Sequence, residues 1–197
     1  MNPRSLLAAA LVLVGVFTVG MALGQVTELP DWLSRKPSRL SDGSLPPSRP
    51  TELAIPSLGI RAPIDPVGLA DTGGIDAPPL EQADRTGWYA DGPSPGQTGA
   101  ALIVGHVDDR HGPAVFYRIG ELRPGARIEV TRKDGQVAVF TVTDVRTYPK
   151  SALPPEVYGD FRTPELRLIT CGGTWVGGPM GYAENVVVFA TLVNVVS

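Results

Sequence analysis

The chain has 197 residues, 43% hydrophobic and 19% charged, so one packed domain with an appendage is expected, and neither two full domains nor a disordered chain. A net charge of −3 and an isoelectric point near 5.4 leave no basic field for nucleic acid. The 23 Gly and 20 Pro argue against long helices and for many turns joining short strands.

In chain order, residues 1–25 hold the uncharged run Leu6 to Gly24 (LLAAALVLVGVFTVGMALG) behind Arg4. As a helix this run spans about 28 Å, close to the roughly 30 Å hydrocarbon core of a bilayer. It reads as a transmembrane anchor. A signal peptide is the competing reading, because Ala22-Leu23-Gly24 is a tolerable cleavage site, although the run is long for a signal core. Arg35, Lys36 and Arg39 follow it closely, so flanking charge alone does not put the C-terminal part outside.

Residues 26–50 carry five Pro and five Ser without a sustained period, the composition of a semi-extended linker. The alternative is an arm packed on the domain through Trp32 and Leu33.

Residues 51–197 hold 17 acidic and 12 basic residues, and their texture is β. Leu53 and Ile55 alternate, and Ile60 to Ile64 follows a glycine. Ala100 to Val104 is an unbroken apolar run between glycines, as in a strand buried on both faces. Ile128 to Thr131 and Val137 to Val145 flank Asp134-Gly135, a hairpin signal. Leu166 to Thr170 and Asn185 to Val196 complete about eight strands of a largely antiparallel barrel or sandwich. Helix is expected only as one or two turns at a time, for example after Pro113 and around Pro155 to Tyr158.

Two strand ends carry candidate chemistry. His106 follows the apolar run ending at Val104-Gly105, and Cys171, the single cysteine, follows Leu168-Ile169-Thr170 and precedes Gly172-Gly173. One cysteine excludes an intramolecular disulfide and a cysteine metal cluster. Taken singly, Cys171 reads as a small buried hydrophobe and His106 as a capping residue. Together, each beside glycine, they fit a nucleophile and its proton donor and acceptor, with the glycines letting a substrate backbone approach. His111, in the loop Asp109-Arg110-His111-Gly112, is the weaker histidine. The acids Glu81/Asp84 and Asp108/Asp109 read as solvated loop residues rather than a calcium site.

Over residues 51–197 the chain resembles the sortases, membrane-anchored cysteine transpeptidases of Gram-positive cell surfaces, most closely class F, with class E as the near alternative. The resemblance is carried by Leu53-Ala54-Ile55-Pro56 through Pro63-Ile64, by Gly87-Trp88-Tyr89 through Gly96, by Val104-Gly105-His106-Val107-Asp108, and by Leu168-Ile169-Thr170-Cys171-Gly172-Gly173. It implies an eight-stranded β-barrel behind an N-terminal membrane helix and linker. It also implies that Cys171 attacks the Thr–Gly bond of a C-terminal sorting signal, with His106 as proton donor and acceptor. The thioacyl-enzyme then passes to an amine of the cell envelope, with no cofactor or metal, and the barrel stands outside the cell.

The family also implies an arginine about a dozen residues past the cysteine, donating to the substrate carbonyl or oxyanion. Here Thr174 to Asn185 contains none, and none follows. Arg110 or Arg118 could fold over the site instead, as could backbone N–H groups at Gly172 and Gly173, whereas Arg167 lies about 13 Å back along its strand. Two other functions stay open. An L,D-transpeptidase also orders His before Cys, but its Ser-His-Gly-Cys-x-Arg signature is absent. A non-catalytic surface module would keep the barrel and dispense with the arginine.

Overall fold

The computed structural model describes residues 43–71, 73–159, 162–178 and 181–197. The apolar run 6–24 and most of the expected linker lie outside them, and no described helix is long and apolar enough to cross a membrane.

The strands are β1 (Pro50–Ile55), β2 (Ile60–Val67), β3 (Thr86–Tyr89), β4 (Gly99–Gly105), β5 (Asp108–Asp109), β6 (Gly112–Pro113), β7 (Arg127–Arg132), β8 (Val137–Pro149), β9 (Pro164–Gly177) and β10 (Gly181–Val196). Eight of them close a barrel in the order β1-β2-β3-β4-β9-β10-β8-β7, with β7 pairing back onto β1. The remaining two, β5 and β6, form a small hairpin just after His106. Only the β2–β3 and β4–β9 pairings in the barrel are parallel.

The side-chain period of two sorts β9 and its neighbours cleanly. Leu166 and Leu168 point inward with Ile103, Phe140 and Val188 into the main core. Ile169, Val104 and Val187 point outward into a second cluster with Val157, covered by Ile75, Ala77 and Leu153 from two long connections. Both faces of β4 are therefore buried, which is why its sequence is apolar without alternation.

The strands are not uniformly short. β8, β9 and β10 run 13, 14 and 16 residues, because proline and glycine collect in the connections while the long hairpins absorb their irregularities as bulges. β3, the barrel strand with no counterpart among the expected ones, shows no alternation around Gly87 and is held by its ladders to β2 and β4. The helical turn expected directly after Pro113 forms later, at Ile119–Glu121, whereas that at Pro155–Val157 forms where expected.

Residues 43–49, read from sequence as the end of a linker, lie against the barrel. Leu45 is buried and donates its backbone N–H to the Gly96 carbonyl at 2.7 Å. The Arg132 guanidinium, fully buried, donates to the carbonyls of Pro46 and Pro95 and pairs with Asp134 at 2.8 Å. The run Pro46-Pro47-Ser48 has no period to read, yet the Pro46 carbonyl accepts from a buried cation.

Candidate active site

His106 sits one residue past β4, as its sequence position predicts. Cys171 does not end its strand: β9 continues through it to Gly177, so the cysteine is paired with β10 on one side and lies just past the end of β4 on the other. On one side the parallel β4–β9 ladder pairs Val104 with Ile169, and the Thr170 hydroxyl donates to the Gly105 carbonyl at 2.8 Å. Two residues further on, that register brings His106 alongside Cys171. On the other side Asn185 of β10 is the direct partner of Cys171. His106, Cys171 and Asn185 thus form one row across three strands. All three share the outward parity of Val104, Ile169 and Val187.

The glycines beside these residues serve the protein's own packing, not substrate access as the sequence suggested. A Cβ on Gly105 would lie 2.7 Å from the buried Phe116 ring. Phe116 also donates its backbone N–H to the His106 carbonyl at 2.9 Å, so the loop after the histidine returns over the glycine and pins it. Gly173 has φ +73°, and a Cβ there would meet the Glu184 carboxylate at 2.0 Å. The Gly-Gly pair after the cysteine lets the β9–β10 hairpin close around Val186 and Glu184.

The imidazole is held from outside the barrel. Its Nε2–H donates to the Pro78 carbonyl at 2.7 Å, which leaves Nδ1 as the unprotonated nitrogen of a neutral ring. The connection carrying Pro78 is tied down at its far end by Arg85, which makes two bonds of 2.5 and 2.7 Å to Asp65. The Arg85 guanidinium holds the Asp65 carboxyl below its ordinary range.

Two grooves meet at the pair. One, of about 710 Å³, runs between the connections around Gly73 to Ala77 and Lys150 to Tyr158, with His106, Cys171 and Asn185 in its floor. The other, of about 880 Å³, shares His106, Lys150 and Cys171 and continues past Asp108, Arg110, Trp175 and Tyr182. Its wall is braced by the Tyr182 hydroxyl donating to Asp108, a bond that with the carboxylate's charge holds the phenol protonated above its usual range. Trp175, largely exposed, packs edge-on against Tyr182 at 5.1 Å between ring centres.

The other residues singled out from sequence separate clearly. Arg110 lines the second groove. Arg118 lines neither and is held by the Glu121 carboxylate at 2.7 Å, so it does not fold over the site. Arg167 packs its guanidinium 4.5 Å from the centre of the Phe189 ring and reaches Glu165. His111 is solvent-exposed beside Asp109, whose carboxyl is held low by the backbone N–H of His111 and Gly112. Among the described residues no cluster of three His, Cys, Asp or Glu is arranged to hold a metal ion. Sequence reasoning missed Asn185 and Lys150. The Gly177-Gly178 turn signal marks the hairpin but not the pair, since its tip pairs Gly177 with Gly181 and only two register shifts between Gly181 and Glu184 bring Asn185 opposite Cys171.

Comparison with known proteins agrees with this fold. A family model described as Sortase domain matches residues 53–193. No curated protein sequence matches the chain. Among solved structures, the SrtA sortase from Actinomyces oris aligns with TM-score 0.59 at 22% identity, covering 79% of this chain and 89% of that one. Group B Streptococcus pilus island 1 sortase C2 aligns with TM-score 0.57 at 18% identity, covering 73% of each chain. Sortase A from Corynebacterium diphtheriae aligns with TM-score 0.58 at 18% identity, covering 75% of this chain and 61% of that one.

Proposed function

We propose a cysteine transpeptidase acting on exported proteins, starting from the fact that the chain belongs to the sortase family. Cys171 is the nucleophile and His106 its proton donor and acceptor. The observation that carries this reading is that the single cysteine and His106 share the floor of both grooves. Two grooves converging on one thiol suit a reaction with two successive substrates.

In the first step the Cys171 thiolate adds to the carbonyl carbon of a sorting-signal peptide, and the carbonyl π pair moves onto oxygen. When that pair returns, the C–N bond breaks and the leaving nitrogen takes a proton from His106 Nδ1. The product is a thioester. An amine of the cell envelope then loses its proton to the same nitrogen, adds to the thioester and releases the thiolate. The Pro78 carbonyl, accepting from Nε2–H, keeps Nδ1 as the exchanging atom through both steps. An N-terminal anchor at residues 6–24, followed by the linker, would hold the barrel at the outer membrane face, and the motif set is class F-like.

Incubation with a peptide carrying a Thr–Gly bond near its C-terminus, without added amine, should accumulate a hydroxylamine-labile adduct on Cys171. Cys171→Ala should lose the adduct completely while keeping its melting temperature. In cells the adduct should sediment with the membrane. An adduct formed by the Ala variant overturns the nucleophile assignment, and recovery in the soluble fraction overturns the anchor.

A further inference from the structure

The row of three residues leaves one position without a role. Cys171 has a proton carrier on its β4 side, and on its β10 side stands Asn185, its cross-strand partner. The ladder is in regular register from Glu184–Gly172 to Thr191–Glu165, so this pairing lies clear of the hairpin bulges. Directly opposed antiparallel residues project to the same face with Cβ atoms about 4.5–5.5 Å apart. Both side chains are half-buried and line the same groove. A carboxamide on so short an arm reaches over a carbonyl carbon bonded to Sγ, but not into the main core.

We infer that the Asn185 side-chain amide is the oxyanion donor of this enzyme, standing on the strand next to the cysteine where the family resemblance leads one to look for an arginine. This inference rests on the cysteine transpeptidase reading. When the thiolate adds to the carbonyl, negative charge develops on an oxygen that cannot face His106, because the leaving nitrogen needs that side. The oxygen turns toward β10, where the Asn185 Nδ2–H donates to it. A neutral carboxamide suffices because the groove is partly closed to water, and a donor fixed in advance by a β-ladder pays no reorganisation when charge appears. Arg110, the remaining arginine near the pair, lines only the groove on the far side, with Asp108 and Trp175.

The test separates reactions at one thiol that do and do not form an oxyanion. Acylation by p-nitrophenyl acetate forms a C–S bond, passes through a tetrahedral oxyanion and expels nitrophenolate, which needs no proton from His106. Alkylation by iodoacetamide forms a C–S bond and expels iodide with no oxyanion. In the full chain, Asn185→Ala should lower the acylation rate about 10²-fold. Alkylation should stay within threefold of the parent. Asn185→Asp, equal in shape but carrying an acceptor where the donor stood, should fall at least as far. It carries the test if the Ala variant does not fold, and thermal melting of each variant monitors this. A structural role would move both rates together and tolerate Asp. A fall of less than tenfold in the acylation-to-alkylation ratio overturns the donor assignment while leaving the transpeptidase reading intact. A parent protein alkylated but not acylated at Cys171 overturns the transpeptidase reading, and the donor assignment with it.

Discussion

Two polar clusters sit on the same barrel and are built in opposite ways. At the β7–β8 end, the Arg132 guanidinium has no exposed surface, and its donors meet two carbonyls and a carboxylate. At the end of β4, the side chains of His106, Cys171 and Asn185 are half-exposed, and only His106 among them has a fixed protein partner, Pro78. Burying a charge is tolerable only when its donors are satisfied, and such a cluster has nothing left to offer a substrate. A site needs the reverse: groups oriented by the backbone, with bonding capacity unspent. The difference teaches that here a buried cation spends its bonding capacity on the fold, whereas a half-exposed row of side chains keeps its capacity for a ligand.

The comparison can be broken from either side. His106→Ala should cost 10² to 10⁴ in transfer rate with the melting temperature nearly unchanged, because positioned acid–base catalysis is worth that much and the ring is not core. His111→Ala should stay within threefold. Rates of the two variants measured on one peptide, falling equally, would erase the distinction between the groove and the exposed loop.

Arg132→Ala should behave conversely. It strands the Pro46 and Pro95 carbonyls and should lower unfolding free energy by about 3–5 kcal/mol, read from urea titration. The rate per folded molecule should not change. A large rate loss at full stability would mean that residues 43–49 contribute to the site rather than to the barrel wall.

The smallest effect is pH-dependent. The Arg132 hydrogen bonds, above all, hold the Asp134 carboxyl below the ordinary carboxylate range. The folded state therefore binds this proton less readily than the unfolded one. The pair's stabilisation is present above about pH 4 and is lost as pH falls through the depressed folded value. Asp134→Asn should melt lower than the parent at neutral pH, and the gap should narrow below pH 4. A gap that is constant across that window would show that the ion pair contributes no charge-dependent stability.

Much of the barrel was legible from residues. The unbroken Ala100–Val104 run announced a strand buried on both faces, and Asp134-Gly135 announced the β7–β8 turn. The Gly-His and Thr-Cys-Gly-Gly pieces drew attention to His106 and Cys171 before any fold was known. The packing role of their glycines was not legible, because Phe116 and Glu184 each lie eleven residues along the chain and meet the glycines only once the loop and the hairpin have folded. β3 was invisible for a related reason, since its order comes from two neighbours rather than from its own four residues.

The sequence by itself determined the class of protein: its acidic balance offers no basic field for nucleic acid, its periodicity required β structure, and one thiol with two histidines leaves a cysteine–histidine mechanism two possible pairs. Only the tertiary structure decided which residues stand together. Register between strands is a long-range property, and a slip of one residue would turn Asn185 away from Cys171 and bring Glu184 or Val186 opposite it. The same ladder that aligns Val187 with Ile169 in the outer cluster aligns the carboxamide with the thiol, so the packing of apolar neighbours sets the geometry of the site.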